Sequence, residues 1–177
     1  MLRLFVALEL PPPARAVLAA FRSAADPEDW RPVADEALHV TLAFLGGRPE
    51  GDVAVIEPVL SRSAGPAPRL VVAGALLLPP RRARVLGAAL EDPDGTLAAL
   101  QGRVAAGLVA AGVHEPERRP FRPHATVARL RSGRQAPRAV AVEPEPLEFA
   151  GTAVTLFVSR LHPRGARYEA LVRVPLS

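Results

Sequence analysis

A chain of 177 residues, 49% of them apolar, is long enough and greasy enough to bury one sizeable core, which excludes a disordered protein. The absence of cysteine excludes a disulfide framework or a thiolate metal cluster and fits a reducing compartment. All 22 basic residues are arginine, so the sequence pI of 11.0 partly reflects the lack of lysine, and the net charge of +4 permits an acidic partner without demanding one.

In chain order, "LRLFVALEL" alternates and is rich in β-formers, which predicts a strand. Three prolines follow where a signal peptide would need a small-residue cleavage site, and no later stretch reaches membrane-spanning length, so a soluble, uncleaved, cytoplasmic protein is expected. "PPPARAVLAAFRSAA" starts on proline and places Val17, Leu18 and Phe21 on one face of a helix. "LHVTLAFL" predicts a second strand, "DVAVIEPVLSRSA" a helix with Pro58 inside or ending it, and "PRLVVAGALLLP" a third strand, so the first half outlines βαβαβ. "RARVLGAAL" opens the second half as a strand. The segment 92–112 is then a helix, with Leu97, Leu100, Val104 and Leu108 at helical spacing and Gly112 at its end. "PFRPHATVARL" predicts a strand, 131–146 an exposed connection, and 147–176 further strands around a loop at "HPRGAR". Arginine clusters at Arg81, Arg82, Arg84 and at Arg118, Arg119, Arg122 can concentrate positive field, although each alone reads more simply as a solvated surface.

One internal match stands out. "HVTLAFL" at 39–45 and "HATVARL" at 124–130 agree at His, Thr, Ala and Leu, 85 residues apart and close to half the chain. With only four histidines and five threonines available, two His-x-Thr pairs are a poor fit to chance. On a strand, residues two apart share a face, so His39 joins Thr41 and His124 joins Thr126, while Val40, Leu42 and Phe44, and Ala125 and Val127, take the core side. Two lobes related by a pseudo-twofold axis would bring both imidazoles and both hydroxyls to one cleft.

Two histidines can act around neutral pH as one neutral base and one protonated acid. That suits displacement at phosphorus: one imidazole takes a proton from water and the other protonates the departing oxygen, while the threonine hydroxyls donate to non-bridging oxygens. No metal is expected, because threonine is a poor zinc ligand and no HxH, HExxH or carboxylate-rich cluster accompanies these histidines. No serine lies in a nucleophile-elbow context, and no glycine-rich phosphate loop is present.

These motifs, together with "RLFVALELP", "LHVTLAFLG", "FRPHATVARL" and the closing "VSRLHPRGARYEALVRVPL", resemble the 2H phosphoesterase superfamily over nearly the whole chain. More narrowly, the chain is similar to the RNA 2',3'-cyclic phosphodiesterases, also called 2'-5' RNA ligases. The resemblance implies a single bilobal α+β domain over 1–177, with two pseudo-twofold-related lobes whose antiparallel sheets line a central cleft, helices outside, and no cofactor or metal. It implies a monomer acting on RNA ends bearing a 2',3'-cyclic phosphate, which it opens to a 2'-phosphate, with reversible 2'-5' joining of tRNA halves as a second activity. It also implies His39 as proton donor, His124 as proton acceptor, and Thr41, Thr126 and Arg129 as phosphate-binding residues.

Strict alternation from His124 puts Arg129 on the opposite face unless the strand bulges after Val127. The same parity assigns Phe44 to the core. Trp30 is expected to pack over the core, His114 to be solvated, and His162 to lie in a loop, while Ser159 and Tyr168 match the closing pattern of the family. The alternatives are a non-catalytic RNA-end-binding module and a two-histidine phosphodiesterase acting on small cyclic nucleotides or 2'-5' linkages.

Overall fold

The computed structural model describes residues 1–162 and 165–177. Nine strands and three helices follow the chain as β1 (Leu2–Glu9), α1 (Pro12–Ser23), β2 (Trp30–Pro32), β3 (His39–Arg48), α2 (Asp52–Ser63), β4 (Arg69–Leu78), β5 (Val85–Glu91), α3 (Thr96–Ala110), β6 (His124–Leu130), β7 (Glu148–Ala150), β8 (Ala153–Arg160) and β9 (Arg167–Pro175). The loop expected at "HPRGAR" includes Pro163 and Arg164, which lie outside the described residues.

All pairings are antiparallel, in the order β7-β4-β5-β6-β3-β1-β8-β9, with β2 added to β6. The order divides in the middle. Between β6 and β3 a single register pair, Val40 opposite Ala125, joins a four-stranded half to a half that has five strands with β2. These are the two lobes of an α+β bilobal fold, and the junction falls inside the repeated motif. The lobes are not sequence halves, however. Strands β1, β3, β8 and β9 build one lobe, and β4 to β7, within residues 69–150, build the other together with β2 from residues 30–32.

The elements repeat with nearly constant spacing. The starts of β1 and β5, α1 and α3, β3 and β6, and β4 and β8 each lie 83 to 85 residues apart. In each repeat the last strand crosses over: β4 pairs with β5 of the second lobe, and β8 pairs with β1 of the first. The helices cross as well, since α1 packs on β6, and α3 packs on β3 and β4.

The core lies between the sheet and these helices. Leu4, Val6 and Leu8 of β1 and Val154, Leu156 and Val158 of β8 meet Leu18 and Phe21 of α1, the buried face of α2 and the Leu97, Leu100, Val104, Leu108 stripe of α3 within one continuous cluster. Pro58 sits inside α2 without ending it, and the helix still buries Ile56, Val59 and Leu60. The two helices cross at Gly107, where an added Cβ would lie 2.6 Å from Val59 Cγ1. Phe5, Thr41 and Thr126 face the other side of the sheet, where, among the described residues, no helix is packed, and line the cleft.

Candidate active site

Both His-x-Thr pairs begin their strands, His39 at the first position of β3 and His124 at the first position of β6. Each histidine is fixed by the backbone two residues before it: His39 Nδ1 lies 2.7 Å from the Ala37 carbonyl, and His124 Nδ1 lies 2.8 Å from the Arg122 carbonyl. A carbonyl only accepts, so each Nδ1 carries the proton and each Nε2 is the lone-pair nitrogen of the neutral ring. His39 Nε2 is 3.0 Å from Thr41 Oγ1, whose hydroxyl donates to it when the ring is neutral.

The Ala37 carbonyl is itself held by a braced turn. Residues 35–37 form a 3-10 turn, and Arg22 from α1 donates to the Val33 carbonyl and, at 2.6 Å, to Asp35 Oδ1. Glu9, opposite His39 in the β1–β3 register, is engaged elsewhere: it accepts from the fully buried Thr155 hydroxyl at 2.5 Å and from Arg173 at 3.1 Å. The groups that orient both imidazoles are therefore carbonyls rather than carboxylates.

The His39 ring is packed by aromatic neighbours, with Phe5 at 5.0 Å, Tyr168 edge-on at 5.4 Å and Phe157 at 6.3 Å between centroids. Burial is the main cause that pulls its pKa down from 6.5 to about 4; the Ala37 carbonyl opposes this, and the positive charges of Arg129, His124 and Arg15 add to it. With a pKa of about 4, the His39 ring of the free protein is uncharged at neutral pH.

His39, Thr41, His124, Thr126 and Arg129 line one cleft of about 670 Å³, together with Arg3, Phe5, Phe44, Ser159, His162 and Tyr168. Arg129 reaches it through a bulge. Leu86 pairs with Ala128 and Gly87 with Thr126, so Val127 is an extra residue on β6, and Val127 and Ala128 are both buried. The alternation restarts one residue late and Arg129 returns to the histidine side. The same device operates on β3, where Val6 pairs with Ala43 and Ala7 with Thr41, leaving Leu42 extra. Phe44 is consequently 64% exposed on the cleft wall rather than in the core, correcting the parity argument. The two strands share the same alternation of buried and open positions over seven residues, so Phe44 and Arg129 are structural counterparts.

Other expectations divide. Trp30 packs into the core, as expected, although through a short strand that the sequence did not suggest. His114 is buried rather than solvated: its side chain is only 6% exposed, and Nε2 has no hydrogen-bond partner among the described residues. His162 lies in a loop and lines the cleft. Phe5 lines the cleft and Phe157 packs behind it, 6.3 Å from the His39 ring, and neither is among the site residues read from the sequence. The signal was present in "LRLFVALEL", where Phe5 falls on the face opposite Leu4, Val6 and Leu8. Among the described residues no group of three or more His, Asp or Glu side chains is placed to hold a metal ion.

Half-sites of histidine and threonine, repeated across a pseudo-twofold axis on facing strands, are the layout of a two-histidine phosphoesterase. The chain belongs to the 2'-5' RNA ligase superfamily, whose family model matches residues 10–163. It is 34% identical to the RNA 2',3'-cyclic phosphodiesterase of Thermus thermophilus over 196 aligned positions, spanning 99% of this chain and 90% of that protein. The RNA 2',3'-cyclic phosphodiesterase of Escherichia coli is 31% identical over 180 positions, spanning 99% and 97%. The crystal structure of E. coli LigT complexed with 3'-AMP superposes with a TM-score of 0.84 at 29% identity, covering 99% of this chain and 98% of that one.

Proposed function

We propose that this protein is an RNA 2',3'-cyclic phosphodiesterase that opens the terminal cyclic phosphate to a 2'-phosphate. The observation that carries the reading is the doubled half-site: two oriented imidazoles, each with a hydroxyl two residues on, lining one cleft with Arg129. His124 takes a proton from water as its oxygen attacks phosphorus. The P–O3' bond breaks, and the departing O3' receives a proton from His39. Thr41, Thr126 and Arg129 donate to the non-bridging oxygens as their charge grows.

The donor role of His39 rests on family resemblance and requires a bound phosphate to raise a pKa that stands at about 4 in the free protein. An anion beside the ring acts in that direction, since it favours imidazolium and offsets the repulsion from Arg129 and His124. With an RNA 5'-hydroxyl in place of water, His124 takes the hydroxyl proton as its oxygen attacks phosphorus, the P–O3' bond breaks and O3' is protonated by His39, which leaves a 2'-5' linkage; cleavage of that linkage is the reverse, with the two roles exchanged, and this is the basis for reading 2'-5' joining of tRNA halves as a second activity. We read the protein as a cytoplasmic monomer.

The test is hydrolysis of a cyclic-phosphate-ended oligonucleotide in EDTA. His39→Ala and His124→Ala are each expected to lower the rate by about 10²–10⁴-fold, the usual contribution of a positioned acid or base, with a 2'-phosphate as the wild-type product. Undiminished ring opening in either variant overturns the mechanism. Tight binding without ring opening by the wild type would make the protein an RNA-end binder instead.

A further inference from the structure

We propose that Arg31 is a second phosphate site, which binds the phosphodiester one nucleotide upstream of the cyclic end and so makes an oligonucleotide a better substrate than a mononucleotide. The proposal rests on the cyclic-phosphodiesterase reading above and adds a specificity residue to it.

The short strand β2 places Arg31 directly opposite Arg129 in the antiparallel register with β6. Opposed residues in such a pair project from the same face, and like charges there repel. Nothing compensates this pair: among the described residues, no carboxylate lines either groove that the two arginines share. Two of the acidic residues near Arg31 in sequence are committed elsewhere, Asp29 to Arg134 at 2.6 Å and Asp35 to Arg22 at 2.6 Å. An uncompensated guanidinium pair at a cleft mouth is the arrangement expected where the ligand supplies the negative charge.

The second groove gives the strand somewhere to go. It measures about 610 Å³, is lined by Trp30, Pro32, Val33 and Ala34, and shares Arg31, Arg129 and Tyr168 with the catalytic cleft. Arg22 also borders it but is spent on Asp35 and the Val33 carbonyl, which leaves Arg31 as the second cation beside Arg129. The position is rigid as well as charged. Trp30 is buried, Val33 N–H donates to the Val127 carbonyl at 2.9 Å, and Arg131 N–H donates to the Asp29 carbonyl at 2.8 Å, so β2 is clamped on both sides of Arg31. With Arg129 on the cyclic phosphate, a strand that leaves through this second groove has Arg31, among the described residues, as the free cation beside it.

The experiment compares kcat/KM for a nucleoside 2',3'-cyclic phosphate with that for a dinucleotide ending in the same cyclic nucleoside. The wild type is expected to prefer the dinucleotide by about tenfold or more, the range of one charge-assisted hydrogen bond. Arg31→Ala should bring the ratio to about one, and Arg31→Lys should restore part of it. The log–log salt dependence for the dinucleotide should flatten by about 0.7 in Arg31→Ala, the share of one phosphate contact on a single strand. Arg62→Ala on the far helix α2 removes the same charge and should leave the ratio as it was. Equal use of both substrates by the wild type, or equal losses on both in Arg31→Ala, overturns this proposal alone. Failure of the wild type to open either substrate overturns the cyclic-phosphodiesterase reading and this proposal with it.

Discussion

At the scale of single residues, His39 carries the sharpest consequence. A ring proton on Nδ1, an aromatic surround and nearby positive charge leave the imidazole neutral well below the ordinary histidine range. Its NMR titration in the free protein is expected to have a midpoint near 4. Saturation with a nucleoside 2'-phosphate should move that midpoint up by about one unit or more, since a nearby anion favours the charged ring. A midpoint that stays near 4 in the complex would assign His39 as the base and exchange the two proposed roles. The same depressed pKa links to stability with a definite sign. As pH falls from 6.5 toward 4, the unfolded chain takes up a proton that folded His39 refuses, so stability is lost through that window and is fully present above it. His39→Gln should flatten that part of the Tm–pH curve. His39, Thr41, His124 and Thr126 were legible in the sequence because residues two apart on a strand share a face whatever surrounds them. The low pKa was not, since it depends on Phe5, Phe157 and Tyr168, which come from three other strands.

At the scale of elements, the paired bulges on β3 and β6 explain what alternation could not. One extra residue after Thr41 and one after Thr126 reverse the parity, which turns Phe44 and Arg129 from core positions into cleft positions. Nothing in "HVTLAF" or "HATVAR" marks a bulge: there is no glycine, and the two buried residues in succession, Leu42–Ala43 and Val127–Ala128, read equally well as continued strand. Arg129→Ala should raise KM for the cyclic phosphate by about tenfold or more, through loss of a charge-assisted bond. It should also raise the His39 midpoint in the free protein, because Arg129 is one of the charges that hold it down. A merely structural arginine would not move that titration. The partner strand is equally constrained, since Gly87 lies opposite Thr126 and an added Cβ would sit 2.8 Å from the Ala125 carbonyl oxygen. Gly87→Ala is therefore expected to cost about 1–3 kcal/mol in denaturant unfolding, with reduced turnover because the β6 backbone beneath Thr126 must shift.

At the scale of the whole molecule, the duplication was visible only as two seven-residue matches, yet it organises every element. Those matches do not reveal that the fourth strand of each repeat joins the other lobe, a long-range pairing that local periodicity does not encode. Because β8 and β9 return to β1, and β2 is added to β6 with α1 laid on it, neither lobe is assembled from one contiguous segment. This interlocking, more than the single Val40–Ala125 register pair, should make the two lobes unfold together. Trp30 is the one tryptophan and sits on the β6 side, so its fluorescence reports the second lobe, while far-UV circular dichroism reports both. Leu156 is fully buried on β8 in the other lobe, and Leu156→Ala should cost about 2–5 kcal/mol. If the lobes are coupled, that substitution shifts the Trp30 midpoint in urea as far as it shifts the circular dichroism midpoint, and both probes trace one transition. A Trp30 transition that stays at its wild-type midpoint while the dichroism curve splits would mean that each lobe folds alone. The catalytic cleft would then lie between two independent bodies, and the fixed spacing of His39 and His124 that in-line displacement requires would have to come from the substrate rather than from the fold.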